Sequence, residues 1–339
     1  MTQRLPLTAW LTLLSATLVL GCSSQTRLPA GAGDVPARLS VSDFRRPWVR
    51  LPLPPSATYG DLESLISVPT GYAALYRKSL GQGKDAAGWV HRVFLSHDGV
   101  HWDEHDLPAT PAWVDYRTLA YGADHYVIAG ESGGVDKGAV TASTDADAWQ
   151  DVETDLPAIL NLTFLNDQFF GLALWKGIYR SSDGIHFSAA STDAAQLGAI
   201  AYGNGTYVAV GSGAIEVSHD GMTWQPVSLD CNMPDACVTP PGGSALQGFR
   251  SHVFFANNKF YAEQFVSPDA QNWQAISDPA RVPDTFDAGW FLKLESNQLT
   301  AWQDATHTQT TAVMMDNPDQ LDCRTQRCVL FSGALLLVP

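Results

Sequence analysis

Three groups of residues in this chain have the types and spacing that chemistry requires. His101-Trp102-Asp103-Glu104-His105 alternates His101, Asp103 and His105, which a strand would place on one face at a spacing able to chelate a metal ion. The group occurs once, in a polar segment, so ordinary solvated side chains and no metal site are expected there. A second group sets Trp113, Trp175, Phe286 and Trp290 beside Asp235, Asp284 and Asp287, with Asp85 and Asp136 as further acids. Aromatic platforms flanked by carboxylates suit carbohydrate, cationic peptide or metal-bridged ligands. The third group is a pair of similar cysteine segments, Leu229-Asp230-Cys231 with Cys237-Val238 and Leu321-Asp322-Cys323 with Cys328-Val329. Neither has a histidine at zinc-finger spacing. Nothing in the sequence asks for a cofactor.

The elements that must position these groups are short strands in repeated units. Leu197–Asp230 reads as four of them. Leu197–Tyr202 and Thr206–Gly211 flank Gly203-Asn204-Gly205, the residue types a tight hairpin wants. Ala214–Ser218 and Trp224–Leu229 then flank Ser218-His219-Asp220-Gly221. One such sheet exposes two faces and two edges and needs copies of itself. A pattern S-x-D-x-x-x-aromatic supplies them: Ser96, Asp98 and Trp102; Ser143, Asp145 and Trp149; Ser181, Asp183 and Phe187; Ser218, Asp220 and Trp224; Ser267, Asp269 and Trp273. Successive copies start 47, 38, 37 and 49 residues apart, about the length of a four-stranded propeller blade.

These copies resemble the Asp-box, or BNR, repeats of sialidase-like β-propellers, a superfamily with sialidases and non-enzymatic binding propellers among its members. The resemblance covers most of the chain after residue 37 and implies an all-β propeller of four-stranded antiparallel blades. In such a turn the Ser and Asp side chains bond to nearby backbone and the aromatic packs between blades, so the box acids are structural and no catalytic residue is assigned to them. Arg50-Leu51-Pro52 is similar to the Arg-Ile-Pro motif of sialidases. It falls in a repeated outer-strand pattern, however, and no residues here can be assigned as the remaining arginines, the acid or the nucleophile.

Residues 1–21 look like a targeting segment: Arg4 is followed by the apolar run Leu5–Leu20, too short to span a bilayer, and Val19-Leu20-Gly21-Cys22 resembles a lipobox. By that resemblance Cys22 is the lipidated first residue of a mature bacterial lipoprotein. The absence of Asp after it implies the outer membrane of a Gram-negative envelope. Residues 22–36 read as a flexible tether and 37–339 as a single propeller domain. An oxidising compartment favours disulfides, and the internal similarity favours Cys231–Cys237 and Cys323–Cys328 among the three connectivities of four cysteines. The net charge of −15 disfavours nucleic acid as a partner.

Blades are expected at about 61–108, 116–157, 159–193, 197–230, 248–279 and 289–325. Leu39–Pro54 and Cys328–Val338 would share one more, closing the ring as its outer and inner halves. Seven blades are favoured, with six as the alternative. The first hairpin turn of every unit is short, whereas the long insertions, Leu80–Gly88, Pro108–Asp115, Glu131–Gly138, Asp230–Gln247 and Ser277–Gly289, all fall on the opposite face. Variable loops on a rigid scaffold are where binding usually lives. The expected function is a membrane-anchored, non-catalytic binding or scaffold module that meets a protein or glycan through that face. The alternative is a sialidase-like glycoside hydrolase or lyase.

Overall fold

A computed structural model describes residues 49–51, 61–79, 88–108, 111, 113–152, 155–192, 196–211, 214–227, 252–287, 289–295, 298–303, 310–313, 320–324, 327–331 and 335–337. Strand β1 (Val49–Leu51) comes from the N-terminal side. The first complete sheet is β2 (Asp61–Val68), β3 (Gly71–Ser79), β4 (Trp89–Ser96) and β5 (Asp103–Asp106). The second is β6 (Val114–Gly122), β7 (His125–Ser132), β8 (Gly138–Ser143) and β9 (Gln150–Val152). The third is β10 (Ile159–Leu165), β11 (Gln168–Ala173), β12 (Gly177–Ser181) and β13 (Ser188–Ser191), and the fourth β14 (Leu197–Gly203), β15 (Thr206–Gly211), β16 (Ala214–Ser218) and β17 (Gln225–Pro226). Then come β18 (Val253–Ala256), β19 (Lys259–Ala262), β20 (Phe265–Ser267) and β21 (Gln274–Ala275), and β22 (Thr285–Asp287), β23 (Trp290–Glu295), β24 (Gln298–Trp302) and β25 (Thr310–Val313). The chain ends with β26 (Gln320–Arg324), β27 (Arg327–Phe331) and β28 (Leu335–Leu337). These strands form seven four-stranded antiparallel sheets, and the last has the order β1-β28-β27-β26.

Turn chemistry explains the hairpins. Ala123-Asp124, Asn166-Asp167, Asn204-Gly205 and Asn257-Asn258 all have positive φ at both positions, the backbone that lets a two-residue loop follow the twist of its strands. Glycine is needed just before two of these turns for another reason. A Cβ on Gly122 would meet the Phe164 ring at 2.1 Å, and one on Gly203 would meet Phe255 at the same distance. In both cases the ring belongs to the first strand of the next sheet, so the missing side chain lets neighbouring sheets close.

The core is a series of layers, each shared by two consecutive sheets. Val68, Leu75 and Val93 of the first sheet pack with Tyr116, Leu119 and Ile128 of the second. Val127 and Val140 meet Ile159 and Phe169, Phe170 and Leu172 meet Ile200 and Tyr207, and Val208 and Val217 meet Phe260 and Phe265. Phe254 and Tyr261 then meet Phe291 and Trp302. The circle continues from Leu65, Tyr72 and Phe94 to Val329 of β27. The aromatics Trp102, Trp149, Phe187, Trp224 and Trp273 each sit in the layer between their own sheet and the preceding one.

Two expectations are corrected. The shared sheet does not divide into two strands from each end: β26, β27 and β28 all come from the C-terminal side, only β1 of the described N-terminal residues joins them, and the strand nearest the first sheet is Gln320–Arg324. β27 and β28 therefore supply middle strands and no inner edge. The sheet before it spans Thr285–Val313, because Phe286 and Phe291 already alternate into a core layer in a segment that reads as loop by composition. Residues 1–48 lie outside the described residues, and among the described ones no helix is long and apolar enough to cross a membrane.

Candidate functional site

The five S-x-D turns have one geometry. In each, the Ser hydroxyl donates to the Asp Oδ1 at 2.8–3.3 Å, and that oxygen accepts the N–H groups two and three residues on, as Asp220 does from Met222 at 2.8 Å and Thr223 at 2.7 Å. Gly99, Ala146, Gly184, Gly221 and Ala270 follow the Asp with positive φ. These bonds hold the carboxyls well below the ordinary carboxylate range. The backbone N–H of His101 does so for Asp98, Thr223 for Asp220 and Asn272 for Asp269, while at Asp183 burial, the largest single effect, is outweighed by the bonds from His186, Ile185 and Ser181 together. Acids depressed on folding contribute stability above their unfolded value of 3.8, and that contribution is lost as the pH falls through the lower folded values. The melting temperature should therefore drop steeply below about pH 4, and a flat profile from neutral pH to about pH 2 would show that these turns do not couple to folding.

The histidine group is taken up in the same way. His101 Nδ1 lies 2.8 Å from Asp98 Oδ2, and His105 Nδ1 lies 2.7 Å from Asp147 Oδ1. Among the described residues no three metal-ligating side chains come together.

On the opposite face, where the second-to-third-strand loops and the links between sheets lie, the first strands carry a device that composition did not reveal. β2, β6, β10 and β14 each have an extra residue at the same place, between Leu62 and Ser64, Tyr116 and Thr118, Ile159 and Asn161, and Leu197 and Ala199. Bulges of this kind re-aim a side chain at a sheet edge. The extra residues are Glu63, Arg117, Leu160 and Gly198, and the two charged ones meet between neighbouring sheets. Arg77 Nη1 donates to Asp115 Oδ2 at 2.9 Å and Arg77 Nε lies 2.8 Å from Glu63 Oε1. Arg117 reaches Asp115 Oδ2 at 2.7 Å and Glu63 Oε2 at 3.5 Å. The Arg77 guanidinium also lies 4.2 Å from the centre of the Trp89 ring. His91 Nε2 accepts the Tyr116 N–H at 3.0 Å beside the same acid.

Burial separates the two carboxyls. It raises Glu63 above its ordinary value despite Arg77 and Arg117. At Asp115 burial is outweighed by Arg117 and Arg77, which hold it low. Acids displaced in opposite directions can serve as an acid and base pair, but here both are closed in by guanidinium groups and buried, with Asp115 only 4% exposed. The arrangement pins two first strands together. A charged residue in a strand whose counterparts are Leu160 and Gly198 was the one sequence signal for it.

Beside this network lies a groove of about 570 Å³ in the second sheet. Trp113, Val114, Tyr116 and Val152 give it apolar walls, and Asp151, Asp155 and Lys137 are its charged residues. Four large hydrophobic side chains are well exposed among the described residues: Trp113 at 61%, Trp175 at 53%, Met222 at 44% and Val135 at 37%. Three of the four are neighbours on this face. Gly133 N donates to Trp113 O at 2.8 Å, and Asp136, next to Val135, pairs with Lys176, next to Trp175, at 2.8 Å.

The sequence-derived ligand face is thus only partly assembled. Trp113 and Trp175 stand exposed on one surface. Trp290 is 0% exposed and belongs to the core, which removes it as a platform. Phe286 packs edge-on against Phe291 at 4.8 Å, and Asp284 Oδ2 accepts the Leu294 N–H at 2.6 Å. Each has its partners inside the sheet, because the strand begins at Thr285. Asp287 is a strand residue paired with Trp290. Asp85 and Asp235, like Cys231, Cys237 and Cys22, lie outside the described residues. Cys323 and Cys328 are direct register partners on β26 and β27.

No protein-family model matches the chain, and no curated protein sequence matches it. Several solved structures do. Virginiamycin B lyase from Staphylococcus aureus is 12% identical, with 86% of this chain and 97% of that chain covered and a TM-score of 0.59. YCF48 bound to D1 peptide is 16% identical, with 92% and 99% covered and a TM-score of 0.58. PorZ, a surface component of the type-IX secretion system of Porphyromonas gingivalis, is 11% identical, with 85% of this chain but 37% of that one covered and a TM-score of 0.52. What is shared at these identities is the architecture: the chain is an all-β propeller with four-stranded antiparallel blades.

Proposed function

We propose that this protein is a lipid-anchored, extracytoplasmic propeller that binds a polypeptide ligand through the face opposite its Asp-box turns, without catalysing a reaction. The observation that carries the reading is the grouping of Trp113, Val135 and Trp175, exposed together on two adjacent sheets. Contiguous exposed apolar groups rimmed by polar residues mark interaction sites. A propeller of similar fold was solved with a peptide bound, YCF48 with D1 peptide, which makes a polypeptide the ligand class of choice. The glycan-processing alternative has in its favour only the fold and the acids of the loop face.

Three finer features belong to the same proposal. Asp-box membership is supported by the common bonding of the five turns. A Cys323–Cys328 disulfide is supported by the direct register of the two residues. Lipidation at Cys22 is supported by the sequence preceding it and would hold the protein at the outer membrane; Cys22→Ala should then release the protein into the soluble fraction with its melting temperature unchanged, since lipid chains supply the membrane affinity.

The binding reading is tested by site-specific photo-crosslinking in intact cells. A photoreactive residue at position 175 should give discrete adducts with another protein, and one at position 222, on the other face, should give none. Equal labelling from both positions, or none from 175, would refute the reading.

A further inference from the structure

Resting on that reading, we infer that the groove beside Trp113 takes a basic segment of the partner protein: an arginine or lysine side chain lies against the Trp113 ring and between Asp151 and Asp155, and an apolar neighbour covers Val135 and Trp175. Three observations lead there. First, Asp151 and Asp155 are exposed and line the groove, and among the described residues neither has an ion-pair partner, although Asp136 on the same face does. Among the described residues Lys137 is the only base on the groove wall, so a cation entering from outside meets a net negative site with an aromatic face beside it, the combination that recognises guanidinium and ammonium groups.

Second, Trp175 is held outward by a backbone at φ +58°, a conformation that bulky side chains rarely adopt. The turn around it is fixed at both sides: Lys176 N donates to Ala173 O at 3.1 Å, and the Lys176 side chain pairs with Asp136. Strain of this kind persists where the surroundings impose it and clusters at ligand contacts. Third, charge selects the occupant. The chain carries a net charge of −15, so a second copy approaching this acidic face would be repelled, whereas a basic segment is drawn in.

The experiment uses the full-length protein in detergent at physiological salt, with a fluorescent peptide alternating arginine and leucine as the probe, together with its citrulline and glutamate counterparts. Anisotropy titrations should give the arginine peptide about tenfold tighter binding than the citrulline one. Trp113→Ala, and separately Asp151→Asn with Asp155→Asn, should each weaken it by about tenfold, while Asp124→Asn with Asp167→Asn, the same charge change on the opposite face, should leave it alone. Matching melting temperatures exclude misfolding as the cause. Equal loss in both double variants would mean diffuse charge attraction and overturn the inference. So would a citrulline peptide that binds as well, saturable binding of a neutral glycan in its place, or self-association abolished by Trp113→Ala. If position 175 still crosslinks to a partner while the arginine peptide shows no preference, this inference falls and the polypeptide-binding reading stands.

Discussion

Asp115→Ala should destabilise the protein by about 3–5 kcal/mol, the usual cost of breaking a buried ion pair by removing one partner. Asp115 is the acid that Arg77 and Arg117 share, at 2.9 and 2.7 Å. With it gone, two guanidinium groups between the first strands of neighbouring sheets would be left with Glu63, whose own ionised form is already disfavoured by burial, and Arg77 with the exposed Asp61 at 3.6 Å. The polar groups left without a partner set the size of the effect. Glu63→Gln should cost much less, because it removes a charge the site tolerates poorly. Glu63 is raised on folding from its ordinary value of 4.5, so its ionisation weakens the fold as the pH climbs through the higher folded value, and the variant escapes that. Chemical denaturation of both variants at neutral pH checks the order. A loss below about 1 kcal/mol for Asp115→Ala would mean that water replaces the carboxylate and that the network is not closed.

The second large effect is expected from the C-terminus. Removing residues 335–339 deletes β28, which lies between β27 and β1 and pairs with both. Val49–Leu51 would lose its sheet, and β27 would present an open edge carrying Val329, which is fully buried in the layer against the first sheet. Unpaired edges template association. The truncated protein should therefore elute as aggregates, lose its cooperative melt and be cut readily by protease. Deleting residues 23–36 should change none of these. A truncated chain that melts like the intact one would show that the terminal strands do not hold the ring.

Much of this fold could be read from residues, and the reasons are local. Asn204-Gly205 and Asn257-Asn258 announce their turns because few residue types accept positive φ, and Ser218 with Asp220 marks a turn because both side chains bond within it. Trp273 and its equivalents declare the layers because a large ring recurring at fixed distance from a turn must pack somewhere. What failed to show depends on residues far apart in the chain. Glu63 and Arg117 look like solvated charges until Arg77 and Asp115 are brought beside them. Trp290 and Phe286 read as part of a ligand face because the Gly, Asp and Pro around them suggest a loop, yet Phe286 on the three-residue β22 and Trp290 at the start of β23 both turn inward. Trp113 and Trp175 are exposed, and no strand among the described residues covers them.

The way β1 joins the ring has a mechanical consequence. Val49, Arg50 and Leu51 face Leu337, Leu336 and Leu335, and every other described strand lies C-terminal to them. A pulling force transmitted from the N-terminal side enters the domain through that three-residue ladder before any other element bears load. Tension would peel β1 from β28 first and leave the remaining sheets packed, so the outermost strand would act as a fuse that yields ahead of the face carrying Trp113 and Trp175.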